Sequence, residues 1–335
     1  MQISALETPA APGVLAELAD MVVATARHDR DFMPVCPHRL TAMLREPVTE
    51  DHSVEVWIAR DADRIVGAAW LTRFHIENRD IGVIEVGVSP GDRRRGVGRA
   101  LLDVLVAAAR SHGLTRLVGN GIATIRDGGG AAAGFASATG FTPALTSTIR
   151  RLDLRGVDSA AEAAAWDEAV AGSTDYALAG WVGDVPERYV EGVAAIFSIA
   201  NGEVPSGDMD IEDAAIDVPR WRAEERRMAA EGLGRLAVAA VHRETGELGG
   251  LSTVKLPKGT PEHASVGLTI VHPGHRGRRL GLACKIRAHR MLRAEFPSVR
   301  YLETGNADVN RHMIAINDRL GFRPHGALHT FQRTW

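Results

Sequence analysis

Arg93, Arg94, Arg95 and Arg99 stand around Gly96, Val97 and Gly98, in a segment that reads Val-Ser-Pro-Gly-Asp-Arg-Arg-Arg-Gly-Val-Gly over residues 88–98. An apolar strand-like run, Gly-Val-Ile-Glu-Val, precedes this segment and a helix-like run follows it. A turn from a strand into a helix N-terminus presents unpaired backbone N–H groups and the positive end of the helix dipole, a ready site for phosphate. Glycines let an anion approach the main chain, and arginines add charge-assisted hydrogen bonds. Glu85 lies three residues before Val88 on the same strand. In that apolar run it reads either as a general base whose pKa burial would raise or as a carboxylate on the solvent side of an alternating strand.

Other phosphate chemistries fail on sequence. Gly-Lys-Ser/Thr is absent, which excludes a P-loop, and Gly96-Val97-Gly98 is followed by Arg99-Ala100-Leu101 without the third glycine of a dinucleotide fingerprint. Gly128-Gly129-Gly130 reads as a connection into a short helix. His272 with His275, and His325 with His329, have metal-compatible spacing but no third ligand, so no metal is expected. Cys284 reads as a small core residue, and Cys36 has no assigned base. The acidic stretch 207–217 reads either as a solvated loop or as one wall of a cleft for a cationic amine.

The phosphate-type segment occurs twice. Residues 271–281, Val-His-Pro-Gly-His-Arg-Gly-Arg-Arg-Leu-Gly, align with 88–98 without a gap at an offset of 183. Val271, Arg276, Gly277, Arg278, Leu280 and Gly281 are the second set of candidate binding residues. A distal Gly-Phe recurs at 140–141 and 321–322, offset by 181. Two copies of one α/β unit account for the length.

Arg93, Gly96 and Gly98 fill the Gln/Arg-x-x-Gly-x-Gly/Ala motif of the GCN5-related N-acetyltransferases (GNAT), which this chain resembles. The second half resembles them through Arg276–Gly281 and through Asn310-x-x-Met313-x-x-x-Asn317-x-x-x-Gly321-Phe322. Two units in one chain resemble the tandem-repeat branch of the family, to which mycothiol synthase belongs. The resemblance implies an α/β (α+β) chain of two tandem GNAT acyl-CoA N-acyltransferase domains, each a mixed central sheet flanked by helices. It also implies acetyl-CoA as cosubstrate, held by residues 93–99, by Val86 and Val88 through their backbone, and by Val271, Arg276–Arg278, Leu280, Gly281 and Asn310. Glu85 takes the place of the family's base. The family's tyrosine acid is Ala136 in the first half and Asn317 in the second; Leu268 and Arg279 replace Glu85 and Gly96, and Gly129 replaces Asn310.

Periodicity supplies the elements that would position these residues. In the first half it predicts helices over 14–27, 96–112 and 130–138, strands over 54–60, 64–75, 81–88 and 114–119, and a terminal hairpin ending near 153. In the second it predicts helices over 187–200, 219–231, 280–295 and 308–319 and strands over 235–241, 248–255, 264–271 and 299–304. The domains expected are 1–155 and 173–335, with 156–172 as junction. A net charge of −3, with lysine only at 255, 258 and 285, argues against general nucleic-acid affinity. Two cysteines argue against a disulfide scaffold, and with no long apolar run and no leader-like start a cytoplasmic location off the membrane is expected. The expected activity is acetyl-CoA-dependent N-acetylation of a small-molecule amine, with chemistry in the first half. The alternative is a degenerate tandem protein that holds coenzyme A or an acyl-CoA as a ligand.

Overall fold

A computed structural model describes residues 1–7, 9–125, 130–203 and 207–335. The chain forms two compact units. Unit 1 is Met1–Ser147 with Ser206–Glu212 and Gly326–Trp335, and unit 2 is Thr148–Pro205 with Asp213–His325.

Unit 1 contains β1 (Gln2–Ala5), α1 (Pro12–Asp29), α2 (Pro37–Arg45), β2 (His52–Asp61), β3 (Arg64–Phe74), β4 (Ile81–Val88), α3 (Val97–Ser111), β5 (Arg116–Thr124) and α4 (Gly130–Ala138). β6 (Thr142–Asp153) begins in this unit and continues into unit 2. Strand alternation divides the apolar residues between two faces. Val54, Val56, Ile58 and Ile65 pack with α1 and α2, while Trp57, Ala59, Val66 and Leu71 pack with Leu101, Leu102 and Leu105 of α3. With both faces covered, β3 is buried almost continuously. β2, β3 and β4 pair antiparallel, and β4 then pairs parallel with β5.

Unit 2 repeats the plan with α5 (Ser159–Ala171), β7 (Tyr176–Val182), α6 (Glu187–Glu203), α7 (Val218–Ala230), β8 (Leu233–His242), β9 (Leu248–Pro257), β10 (His263–Val271), α8 (Leu280–Glu295), β11 (Tyr301–Ala307) and α9 (Arg311–Arg319). One face packs Leu236, Val238 and Val254 against Cys284 and Ile286 of α8. The other packs Ala237, Ala239 and Leu251 against α6 and α7, with Trp181 and Trp221 in that cluster and Tyr189 packed on it. The last strand, β12 (Arg323–Thr334), pairs antiparallel with β5 from Gly326 onward and so completes the sheet of unit 1.

One expectation is corrected and other elements are added. Residues 142–153 are one strand and not a hairpin, because no turn interrupts them; the neighbour of β6 in unit 1 is β12. The stretch 156–172 contains a packed helix. Asp158 caps α5 through Ala160 and Ala161 N–H, Ala165 and Ala169 are buried, and Glu162 accepts from Arg290 and Arg293. The elements β1, α2, β7 and β12 are additions to the sequence reading. Gly130 opens α4, whereas Gly128 and Gly129 lie outside the described residues.

Candidate active site

In unit 1 the phosphate-type loop runs from the end of β4 to the start of α3. Gly96 is the N-cap of α3 and is left-handed, at φ +86°, where a side chain would be strained. A glycine offers no side-chain cap, and the first N–H bonded back to the cap carbonyl belongs to Ala100. The N–H groups of Val97, Gly98 and Arg99 are therefore the open donors of this helix end. A Cβ on Gly98 would stand 3.3 Å from the Phe135 ring, so this glycine also permits close packing.

The arginines divide by task. Arg93 forms two bonds to Asp29 at 2.8 and 2.7 Å and donates through Nε to the Val88 carbonyl, tying the loop to α1. Burial alone would raise the Asp29 carboxyl, but the Arg93 hydrogen bond and charge hold it below its ordinary value. Arg95 donates to buried Asp92 at 2.9 Å, which also accepts two bonds from Arg64. Arg99 donates to the Ala138 carbonyl at 2.7 Å, and exposed Arg94 is left-handed at φ +63°.

Pairing of β4 with β5 ends at Ile84 and Gly119. Beyond it β4 stays with β3 as far as Val88 and β5 follows β12, so the two strands diverge around Glu85, Val86 and Gly87 on one side and Asn120–Ala123 on the other. A cavity of about 480 Å³ occupies this divergence, closed by α1 residues and by Gly130–Ala132. Glu85 and Gly87 line it. The Glu85 side chain is open to the cavity yet enclosed by its walls, and that enclosure raises its pKa above the ordinary value; a hydrogen bond from Trp70 and the charges of Arg39 and Arg30 oppose the rise.

The loop of unit 2 repeats the backbone with different residues. Arg279 is the N-cap of α8 at φ +54° and Gly277 sits at φ +81°, matching Gly96 and Arg94. Each loop thus has two left-handed positions and one glycine, at the second in unit 1 and at the first in unit 2. Leu280, Gly281 and Leu282 present the open N–H groups, since Ala283 is the first to bond back to Arg279. A cavity of about 780 Å³ lies over this loop, lined by Thr269–Val271, Arg276–Leu282 and Asn310 with one face of α9. Asn310 caps α9 through Met313 N–H, at 3.2 Å. Arg279 and Arg319, both on the cavity wall, share Glu168 of α5.

Beside this loop, unit 2 has core where unit 1 has a chamber. Buried Ile270 stands at the place of Gly87 and belongs to the cluster of α6 and α7, against which Leu268, at the place of Glu85, also packs. β10 is bulged between Val266 and Thr269, with Leu268 N–H bonded to Thr253.

Neither replacement of the family's acid reaches a cleft. Ala136 is buried in the core of unit 1. Asn317 is fully buried, accepting from Lys285 and donating to Asn306, both at 2.5 Å. Lys285 and His289 escaped the sequence reading. Burial lowers Lys285 to about 7, and His289 lies well below its ordinary value for the same reason, reinforced by the charges of Lys285 and Arg293. Their counterparts in unit 1 are Leu102 and Val106, and comparing the repeats position by position would have exposed the difference. Cys284 is pushed up to about 12 by burial. His272 accepts from Gly274 N–H and His275 bonds Tyr176, whereas His329 meets Thr146. Among the described residues no group of three or more His, Cys, Asp or Glu could hold a metal, and no helix is long and apolar enough to cross a membrane.

Residues 22–141 match the model of the acetyltransferase (GNAT) family. The family match thus lies within the first unit, and the chain as a whole shares the fold of a tandem GNAT protein. Among solved structures, a tandem GNAT protein from the clavulanic acid biosynthesis pathway is 25% identical, with a TM-score of 0.82 over 99% of this chain and 98% of that one. A GCN5-related N-acetyltransferase from Sphaerobacter thermophilus shares the fold at 14% identity, TM-score 0.65, over 99% of this chain and 95% of that one. No curated protein matches the chain.

Proposed function

We propose that this chain is an acetyl-CoA-dependent N-acetyltransferase that passes the acetyl group directly to a small-molecule amine in unit 1, while unit 2 holds coenzyme A with no acceptor beside it. The observation that carries the reading is Glu85 facing a chamber where β4 leaves β5, set against Leu268 and Ile270, which pack with the α6 and α7 cluster. The open N–H groups of Val97, Gly98 and Arg99, with Arg94, Arg95 and Arg99 nearby, suit the pyrophosphate. In unit 2, Arg276, Gly277, Arg278, Leu280 and Gly281 suit the same group, with Val271 and Asn310 on the cavity wall. Backbone groups of Val86 and Val88, past the last β4–β5 pair, suit the pantetheine and thioester.

Bound acetyl-CoA supplies an activated acyl group and a thiolate leaving group. Glu85 takes the amine proton as the nitrogen–carbon bond forms and the carbon–sulfur bond breaks. A raised pKa matches the carboxylate to that task. Ala136 has no proton to give, so the thiolate, of pKa near ~8.5, takes one from water. The same lack of an acid favours the second reading, a tandem protein that binds coenzyme A or an acyl-CoA without transfer.

One comparison tests both. Gly98→Asp and Gly281→Asp each place a carboxylate where pyrophosphate would sit, and Gly98→Ala and Gly281→Ala control for packing. Loss of amine acetylation in Gly98→Asp, with turnover kept in Gly281→Asp, is the expected result. The opposite pattern assigns chemistry to unit 2, and coenzyme binding without turnover of any amine selects the second reading.

A further inference from the structure

The transfer step in unit 1 draws on one polar side chain of the chamber, Glu85, although the sheet beneath it carries more. We propose that Asn120 is a second acceptor-binding residue, aimed by Thr330, and that it selects an amine with a hydrogen-bond-accepting oxygen on the second or third carbon from the nitrogen. This rests on the transferase reading of unit 1.

Strand register brings the residues into one row. Trp70 pairs with Glu85 across β3 and β4, and Thr330 pairs with Asn120 across β12 and β5. Ile84 and Gly119, the last β4–β5 pair, share the α3 face of the sheet: Ile84 packs in the cluster of α3, and a Cβ on Gly119 would stand 3.3 Å from its side chain. Alternation turns the next residue of each strand, Glu85 and Asn120, to the opposite face. Trp70 lies on that face too, in the cluster of α1 and α2. Glu85 and Asn120 thus stand side by side where the strands begin to diverge, separated by at least one strand spacing of about 4.8 Å.

The ends of the row fix what its middle offers. Trp70 donates to Glu85, and the buried Thr330 hydroxyl donates to Asn120 Oδ1 at 2.8 Å. With its oxygen engaged, the exposed Asn120 side chain presents its amide N–H groups as donors on the chamber wall. Glu85 accepts and Asn120 donates. Met21, Val22 and Ala26 of α1 supply an apolar wall, while Asp29 and Arg93 satisfy each other through paired bonds at 2.8 and 2.7 Å. An amine whose nitrogen meets Glu85 therefore brings its second or third carbon beside Asn120. An oxygen there gains a hydrogen bond, whereas a methylene there takes water from the amide and returns nothing.

Isosteric acceptors that differ at that oxygen test this: 2-methoxyethylamine against butylamine, and N,N-dimethylglycinamide against isoamylamine. The ether and carbonyl oxygens accept and cannot donate. Members of a pair differ in basicity, so the readout is the ratio of kcat/KM within a pair, compared between wild type and variant. Asn120→Ala should lower that ratio by about 3–10-fold in at least one pair, the worth of a neutral hydrogen bond. Asn120→Asp, which offers acceptors only, should lower it at least as far. Thr330→Val frees the amide to turn and should lower the ratio part of the way, and Thr330→Ser should restore it; lost packing at Thr330 would instead slow both members of a pair alike. Continued turnover of the plain amine in each variant shows that the fold and the coenzyme site survive. A ratio unchanged by Asn120→Ala in both pairs would overturn the proposal and leave the transferase reading standing. Acetyl-CoA binding with no amine acetylated by the wild type would overturn both.

Discussion

Glu85→Gln separates catalysis from stability because the two should move in opposite directions. The substitution keeps the shape of the side chain and an oxygen that can still accept from Trp70, but it removes the group proposed to take the amine proton. A positioned general base contributes about 10²–10⁴-fold, so kcat should fall by that factor, about 3–5 kcal/mol of barrier. The pH profile of kcat/KM should lose its acidic limb, and in the wild-type protein that limb should lie above the ordinary 4.5 of a glutamate, because enclosure raises Glu85. Stability follows with the opposite sign. A carboxyl with a raised folded-state pKa contributes fully to stability below its unfolded value and loses that contribution as pH rises through the folded value, since the unfolded chain gives up its proton first. Glutamine has no proton to lose. Glu85→Gln should therefore melt higher than wild type at pH 8 and equal to it near pH 4. Paired melts and initial rates over this range decide the matter: near-normal turnover, or a lower melting temperature at pH 8, would refute the assignment.

Two further variants exchange residues between the repeats. Gly87→Ile copies Ile270 into the chamber, where a Cβ at Gly87 meets nothing within 4 Å, so the fold and acetyl-CoA affinity should persist while kcat/KM for the amine drops at least about 10²-fold; unchanged turnover would show that the acceptor enters elsewhere. Lys285→Leu with Asn317→Ala copies Leu102 and Ala136 into unit 2. As pH falls from 10.5 to about 7 the unfolded chain gains the lysine proton before the folded one, so the gain in stability of the double variant should be several kcal/mol larger at pH 6 than at pH 11; equal gains in denaturant melts at the two pH values would refute a buried lysine.

The tandem plan was legible because it rests on local signals that occur twice: an apolar strand, a turn rich in glycine and arginine, a helix with one apolar face, and a distal Gly-Phe. β12 was not, because which strand a strand pairs with is a long-range choice. Arg323–Thr334 carries no mark that sends it from Gly326 onward to β5, 202–218 residues earlier in the chain at the ends of its register, Gly326 with Thr124 and Thr334 with Arg116. The hairpin expected at 142–153 failed for the same reason, since the partner of that segment comes from the far end of the chain.

Within the site, residue type and backbone shape carried different information. An alignment scores Arg279 against Gly96 as a lost glycine, yet both residues take the left-handed cap position and Gly277 takes the other left-handed place where unit 1 has Arg94. The loop requires the conformation, and a non-glycine residue can adopt it at a cost of about 1–2 kcal/mol, so each repeat relieves one of its two strained positions with glycine. Loop glycines therefore do not distinguish the halves. The distinction lies on the opposite face of the preceding strand, where Glu85 and Gly87 open a chamber that Leu268 and Ile270 fill. Strand alternation already places positions 85 and 87 on one face in the sequence. That the face is open in one repeat and packed in the other depends on which helices cover it, and therefore on the three-dimensional fold.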